Sequence, residues 1–147
     1  MQSGLIRGVK QVDAKGCGVA VVATVTGRSY DQVRKRALMT GDWRESYGMN
    51  SAMLRRLLDQ LKWPVLSVTM GREAGSLAVV KVAGRVKTDS GGRRLWQHWV
   101  VWHRGTVWDP GHGVLWNGNG LIDGMELYLK SHGFSVTHVK TGRWYWL

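Results

Sequence analysis

The chain has one cysteine, Cys17, among its 147 residues. A single thiol excludes an internal disulfide framework and any structural site assembled from several thiolates. There are two prolines and one phenylalanine, against 20 glycines and nine tryptophans. Rigid breaks are therefore few, tight turns many, and indole must supply most of the large aromatic volume. No apolar run reaches the roughly 18 residues a bilayer span needs. The N-terminus shows no apolar stretch with a cleavage site, so the expectation is a cytoplasmic protein or one delivered without a visible signal peptide. Acidic residues are scarce too: 10, against 21 Lys and Arg, for a formal net charge of +11.

Hydrophobic residues make up 44% and charged residues 21%, a globular composition. At this length the chain reads as one domain, 1–147, that buries roughly two-thirds of its extended surface. Its basic residues are spread through Arg34-Lys35-Arg36, Arg55-Arg56, Lys81 to Lys87 and Arg93-Arg94, with no basic tail. Such charge suits an anionic polymer, nucleic acid or cell wall, and equally suits a solvated surface of incidental sign.

The period of the sequence changes near Pro64. Before it, a helix is expected from Gly16-Cys17 to about Val25, apolar all round and so buried, with a core strand as the alternative. Ser29 can cap a helix over Tyr30 to Met39, which Gly41 ends. Asn50 or Ser51 can cap a third, whose stripe is Met53, Leu54, Leu57, Leu58 and Leu61. After it, strands are expected at Val65 to Met70, Ser76 to Ala83, Gln97 to His103 and Thr106 to Asp109, with turns at Asp89 to Gly92 and Arg104-Gly105. Gly111 to Gly120 reads as a glycine-rich loop, Asp123 to Lys130 as a short helix, and Phe134 to Val139 with Arg143 to Trp146 as a closing hairpin. The fold class is α+β: an N-terminal helical half on a C-terminal antiparallel sheet.

Cys17 is the only possible thiolate nucleophile. At a helix start its sulfur would sit among unpaired backbone N–H groups, which favour the anion. A buried structural cysteine is the competing account. Gln11, a short way upstream, can aim its amide N–H at a developing oxyanion, with the Cys17 N–H as second donor. Among the five histidines, His98 is the best-placed base, on the strand Trp96 to Trp102. His103, His132 and His138 fall near turns or element ends, and His112 in the glycine loop. If Arg104-Gly105 is a two-residue turn, His103 faces Thr106, Trp102 faces Val107 and Val100 faces Asp109. His98 and Asp109 are then diagonal neighbours on one side of the ladder, their Cβ atoms roughly 7–8 Å apart. Asp109 could fix the imidazole tautomer and leave the other nitrogen for Cys17.

Gln11, Cys17-Gly18, His98-Trp99-Val100-Val101 and Val107-Trp108-Asp109-Pro110 resemble, in order and spacing, the papain-like cysteine peptidases. The likeness is greatest to the peptidase domains that remove double-glycine leader peptides from bacteriocins, and to their stand-alone bacterial relatives. It spans roughly residues 9 to 112. Gly16 departs from that pattern, since leader peptidases usually have an aspartate before the cysteine. The resemblance implies a papain-like fold and Cys17, His98, Asp109 and Gln11 as catalytic residues.

Other chemistry finds less support. His98, His103, His112 and Asp109 lack HExxH or comparable spacing, so no metal is expected, and Gly111 to Gly120 lacks the ending of a phosphate loop. No cofactor is expected either. The tryptophans could line a substrate groove or fill the core. Two functions are expected as alternatives. One is a thiol hydrolase cleaving a peptide, isopeptide or cell-wall amide bond in a peptide or peptidoglycan-like substrate. The other is a non-catalytic basic module that binds an anionic polymer on a papain-like core.

Overall fold

The computed structural model describes residues 7–70, 74–87, 90–111, 114–117 and 142–147. Three helices come first: α1 (Cys17–Thr26), α2 (Tyr30–Thr40) and α3 (Ser51–Gln60). Strands follow: β1 (Ser67–Met70), β2 (Leu77–Lys87), β3 (Arg93–His103), β4 (Thr106–Asp109), β5 (Val114–Asn117) and β6 (Arg143–Trp146). They form a six-stranded sheet in the order β1-β6-β2-β3-β4-β5, antiparallel at every pairing. Among the described residues no helix is long and apolar enough to cross a membrane.

The helices start where their caps dictate. Ser29 and Gln32 form a reciprocal capping box on α2, and the Asn50 side chain accepts from the Met53 N–H on α3. Left-handed glycines, Gly27 and Gly41, end α1 and α2. α1 is rich in β-branched residues, yet every residue from Gly18 to Val25 is buried, because the helix is packed against α2, α3 and β3. Packing on all sides outweighs modest propensity here.

The sheet is apolar on both faces. Val79, Trp99, Val101 and Tyr145 join the helices in one core. Val80, Val100, Trp102, Val107, Trp144 and Trp146 form a second cluster on the opposite face. Trp102 packs edge-on against Trp144 and Trp146, with centroids 6.2 and 5.5 Å away. Trp43, Trp99 and Trp102 are thus core residues, and of these only Trp99 also lines the cleft described below.

Several boundaries differ from expectation. β2 and β3 are longer, running to Lys87 and from Arg93, because they pair with each other residue for residue. β1 begins at Ser67 rather than Val65. Val114–Asn117, read as part of a glycine loop, is a strand paired to β4. β6 lies between β1 and β2, hydrogen-bonded to both. The expected helix over Asp123 to Lys130 and strand over Phe134 to Val139 lie outside the described residues, as do His112, His132 and His138.

Candidate active site

Cys17 is the first residue of α1. Its N-cap, Gly16, offers no side-chain acceptor, so the N–H groups of the first turn are left for other partners. Gly18 follows because there is no room for more: a Cβ there would lie 2.8 Å from the Met49 Cβ. Loop residue Met49 is fixed in turn, its carbonyl accepting from the Trp99 Nε1 of β3 at 3.0 Å.

The β3–β4 hairpin supplies the facing side chains. Arg104 and Gly105 form its two-residue turn with φ of 48° and 85°. Such left-handed turns match the twist of antiparallel strands. The register is His103↔Thr106, Trp102↔Val107 and Val101↔Trp108. Asp109, one step beyond, is diagonal to His98, and its Oδ1 lies 2.6 Å from His98 Nε2. The same oxygen accepts from the Gly111 N–H at 2.9 Å, and the Asp109 side chain is fully buried. With Nε2 engaged, Nδ1 is the nitrogen left for the Cys17 thiol, which is hydrogen-bonded to His98.

The electrostatics of the pair follow from these contacts. Burial pushes the Cys17 thiol up. The His98 hydrogen bond, the His98 charge and the Trp99 and Gly18 backbone N–H groups together bring it below its ordinary value. β3–β4 pairing ends at Val101↔Trp108, so the Trp99 N–H lies beyond that ladder and meets the sulfur. Burial pulls the His98 imidazolium down, but the Asp109 and Cys17 hydrogen bonds and charges outweigh it and push it up to about 9. Both shifts favour a thiolate–imidazolium pair.

Gln11 is threaded between these elements. The Gln11 N–H donates to the Pro110 carbonyl at 3.0 Å, Trp108 Nε1 to the Val9 carbonyl at 3.1 Å, and the Val9 N–H to Thr24 Oγ1 of α1 at 3.0 Å. Its Nε2 donates to the carbonyls of Asp13 and Ala14, both at 3.1 Å, and its buried Oε1 has no partner. The amide expected to face an oxyanion therefore has its donors occupied by the loop before Cys17.

That loop is held by contacts the sequence did not disclose. Tyr30 Oη donates to Asp13 Oδ2 at 2.6 Å and accepts from the Asp13 N–H at 3.1 Å. Arg34 Nε lies 3.0 Å from the same carboxylate oxygen, and Arg34 Nη2 2.7 Å from Glu45 Oε1. Burial and then the Asp13 hydrogen bond push the Tyr30 hydroxyl up to about 12, so it remains a donor.

A cleft of about 520 Å³ opens over the pair. Gln11, Ala14 and Lys15 line it on the loop side, the Tyr47 to Met49 segment closes another wall, and Gln97, Trp99 and Gly111 complete it. The Tyr47 to Met49 wall had no hydrophobic period to betray it. Its sign in the sequence is Gly48, which takes a φ of 90° to close the turn paired to Arg44. Cys17, His98, Asp109 and Gln11 are thus brought together, while His103 sits at the far end of β3 beside the turn. Among the described residues no group of three or more His, Cys, Asp or Glu could hold a metal ion. Comparison of the chain with protein-family models, curated proteins and solved structures finds no match.

Proposed function

We propose that the chain is a papain-like cysteine hydrolase that cleaves an amide bond through a thioester intermediate. The observation that carries this is the continuous relay from the Cys17 thiol, at a helix start, through His98 to a fully buried Asp109 2.6 Å from the imidazole. The thiol comes from a helix start and the imidazole and carboxylate from an antiparallel hairpin, and nucleophile, base and orienting carboxylate are the three roles such chemistry uses.

In the reaction, the Cys17 thiolate attacks the carbonyl carbon. The oxyanion is stabilised by the Cys17 N–H and by one Gln11 N–H, exchanged from the exposed Ala14 carbonyl. The C–N bond breaks as His98 gives its proton to the departing nitrogen. Water then attacks the thioester, leaves a proton on His98 and expels the thiolate, releasing the acid. Asp109 holds the ring and does not attack.

The test is kcat/KM on one amide substrate for Cys17→Ala, His98→Ala, Asp109→Ala and Gln11→Ala, with folding checked by circular dichroism. Loss of turnover in the first two is expected. Gln11→Ala is expected to cost on the order of 10²–10³, the effect of removing one oxyanion donor. Asp109→Ala should hurt less than Cys17→Ala, because packing partly orients His98. Full activity in folded Cys17→Ala would end this reading. Labelling of Cys17 by iodoacetamide only after unfolding would favour the basic binding module instead.

A further inference from the structure

We infer that the cleft selects peptides carrying a carboxylate close to the scissile bond, and that Lys15 is the residue that receives it. This rests on the hydrolase reading and adds the substrate class. Lys15 is the one lysine or arginine among the described residues that line the cleft, and none of those residues is an Asp or Glu. Its position is fixed at both ends. The buried Trp43 donates its Nε1–H to the Lys15 carbonyl at 2.9 Å, and Lys15 Nζ donates to the Ser46 carbonyl at 2.8 Å. An ammonium carries three donors, so two are left for a ligand.

What Lys15 lacks, among the described residues, is a carboxylate partner. Four carboxylates of the helical half are spent elsewhere: Asp13 and Glu45 on Arg34, Asp31 on Lys35, Asp42 on Arg56. No carboxylate among the described residues pairs with Lys15. Lys15 is exposed at the cleft, so its tethered ammonium is open to an incoming anion, with the modest, salt-screened attraction of a solvated charge. The geometry also limits where the anion sits. Lys15 precedes Cys17 by two residues, which places the two Cα atoms within about 7 Å of each other. With about 3.3–3.6 Å per extended residue, the ammonium reaches side chains one to three residues from the carbonyl that Cys17 attacks. In a peptide substrate such an anion is an Asp or Glu side chain, or the free α-carboxylate of a γ-linked glutamate in a cell-wall stem peptide. The chain's net charge of +11 adds long-range attraction of the same sign.

The experiment uses a proteome-derived peptide library, cleaved by the full chain and read by mass spectrometry, with Cys17→Ala as the blank. Expected is enrichment of Asp or Glu at one fixed position within three residues of the cut. For a matched Glu/Gln peptide pair, the preference in kcat/KM should be about threefold to tenfold, the range of a partly exposed charge-assisted contact. It should shrink in about 0.5 M salt, where screening is within a few ångströms. Lys15→Gln should erase the enrichment, and Lys15→Glu should turn it toward Lys or Arg. Stem peptides with a free or an amidated glutamate α-carboxylate form the second arm and separate the two sources. Cleavage without acidic enrichment in either arm, or enrichment that persists in Lys15→Gln, overturns the inference and leaves the hydrolase standing. No cleavage above the Cys17→Ala blank in either arm overturns both.

Discussion

A Cβ on residue 16 would overlap the Tyr30 hydroxyl and lie 3.1 Å from the Asp13 carbonyl oxygen. The motif set out in the sequence analysis would usually place an aspartate here. In this chain the space is taken by Tyr30, whose hydroxyl is tied to the Asp13 carboxylate and backbone. The loop that presents Cys17 and accepts from Gln11 is therefore shaped by a steric fit that no motif reveals. We expect Gly16→Ala to cost about 1–3 kcal/mol, the usual price of overpacking a well-filled site. Tyr30→Phe removes both the obstructing oxygen and its two hydrogen bonds to Asp13, each worth about 1 kcal/mol. The double variant should be more stable than the two single effects predict, by at least 0.5 kcal/mol or so, since the residues are in contact. Urea unfolding of the four proteins measures this. Strict additivity would mean that the hydroxyl is not what excludes a side chain at residue 16.

At the scale of elements, the site depends on one strand register. The alternation of β3 and the pair Arg104-Gly105 were enough to place Asp109 diagonal to His98, because a two-residue turn leaves no freedom in the pairing. The other boundaries were less legible for physical reasons. β2 runs on through Gly84, Arg85 and Lys87, and β3 begins at Arg93-Arg94, none of them strong strand formers. The ladder from Ala83↔Gln97 to Lys87↔Arg93 overrides their preferences. Val114–Asn117 sits in a glycine-rich stretch and becomes a strand only by pairing with β4. The cleft wall from Tyr47 to Met49 belongs to a loop and has no period at all. One glycine inserted after Gly105 should slip β4 and turn Asp109 away from His98. Two inserted glycines restore the alternation. Iodoacetamide labelling of Cys17 near neutral pH should therefore be slower in the one-residue insertion than in the two-residue insertion, with the tryptophan near-ultraviolet spectrum retained in both. Equal rates would show that the turn does not set the contact.

At the scale of the whole molecule, the contacts that favour a thiolate–imidazolium pair exist only while the helical half and the sheet are docked. Cys17 comes from α1, His98 and Asp109 from the hairpin, and Trp99 joins them through its contact with Met49. The pair should thus report on docking through pH. In the unfolded chain the imidazole titrates near 6.5 and the thiol near 9.0; in the folded protein the thiol falls below its ordinary value and the imidazolium rises to about 9. The sign follows from counting protons. Taken alone, the lowered thiol adds stability that grows as pH rises from its folded value to 9.0. Taken alone, the raised imidazolium adds stability that is whole below 6.5 and is lost as pH rises from there to about 9. The two offset each other where their windows overlap, and above about 9 the contribution is flat, because folded imidazolium and unfolded thiol have each given up a proton. Reactivity should follow the same steps. Alkylation of the folded protein should rise toward a plateau at lower pH than a free thiol does and show a second change near 9, when His98 becomes neutral. In strong denaturant the plateau should vanish, leaving one rise near the ordinary thiol value. Asp109→Asn should move the upper step to lower pH, because it removes the carboxylate that holds the imidazolium, while the lower step moves up as the thiolate loses its charged partner. A folded protein that alkylates with a single step near pH 9 would show that no ion pair forms, whatever the distances between the two halves.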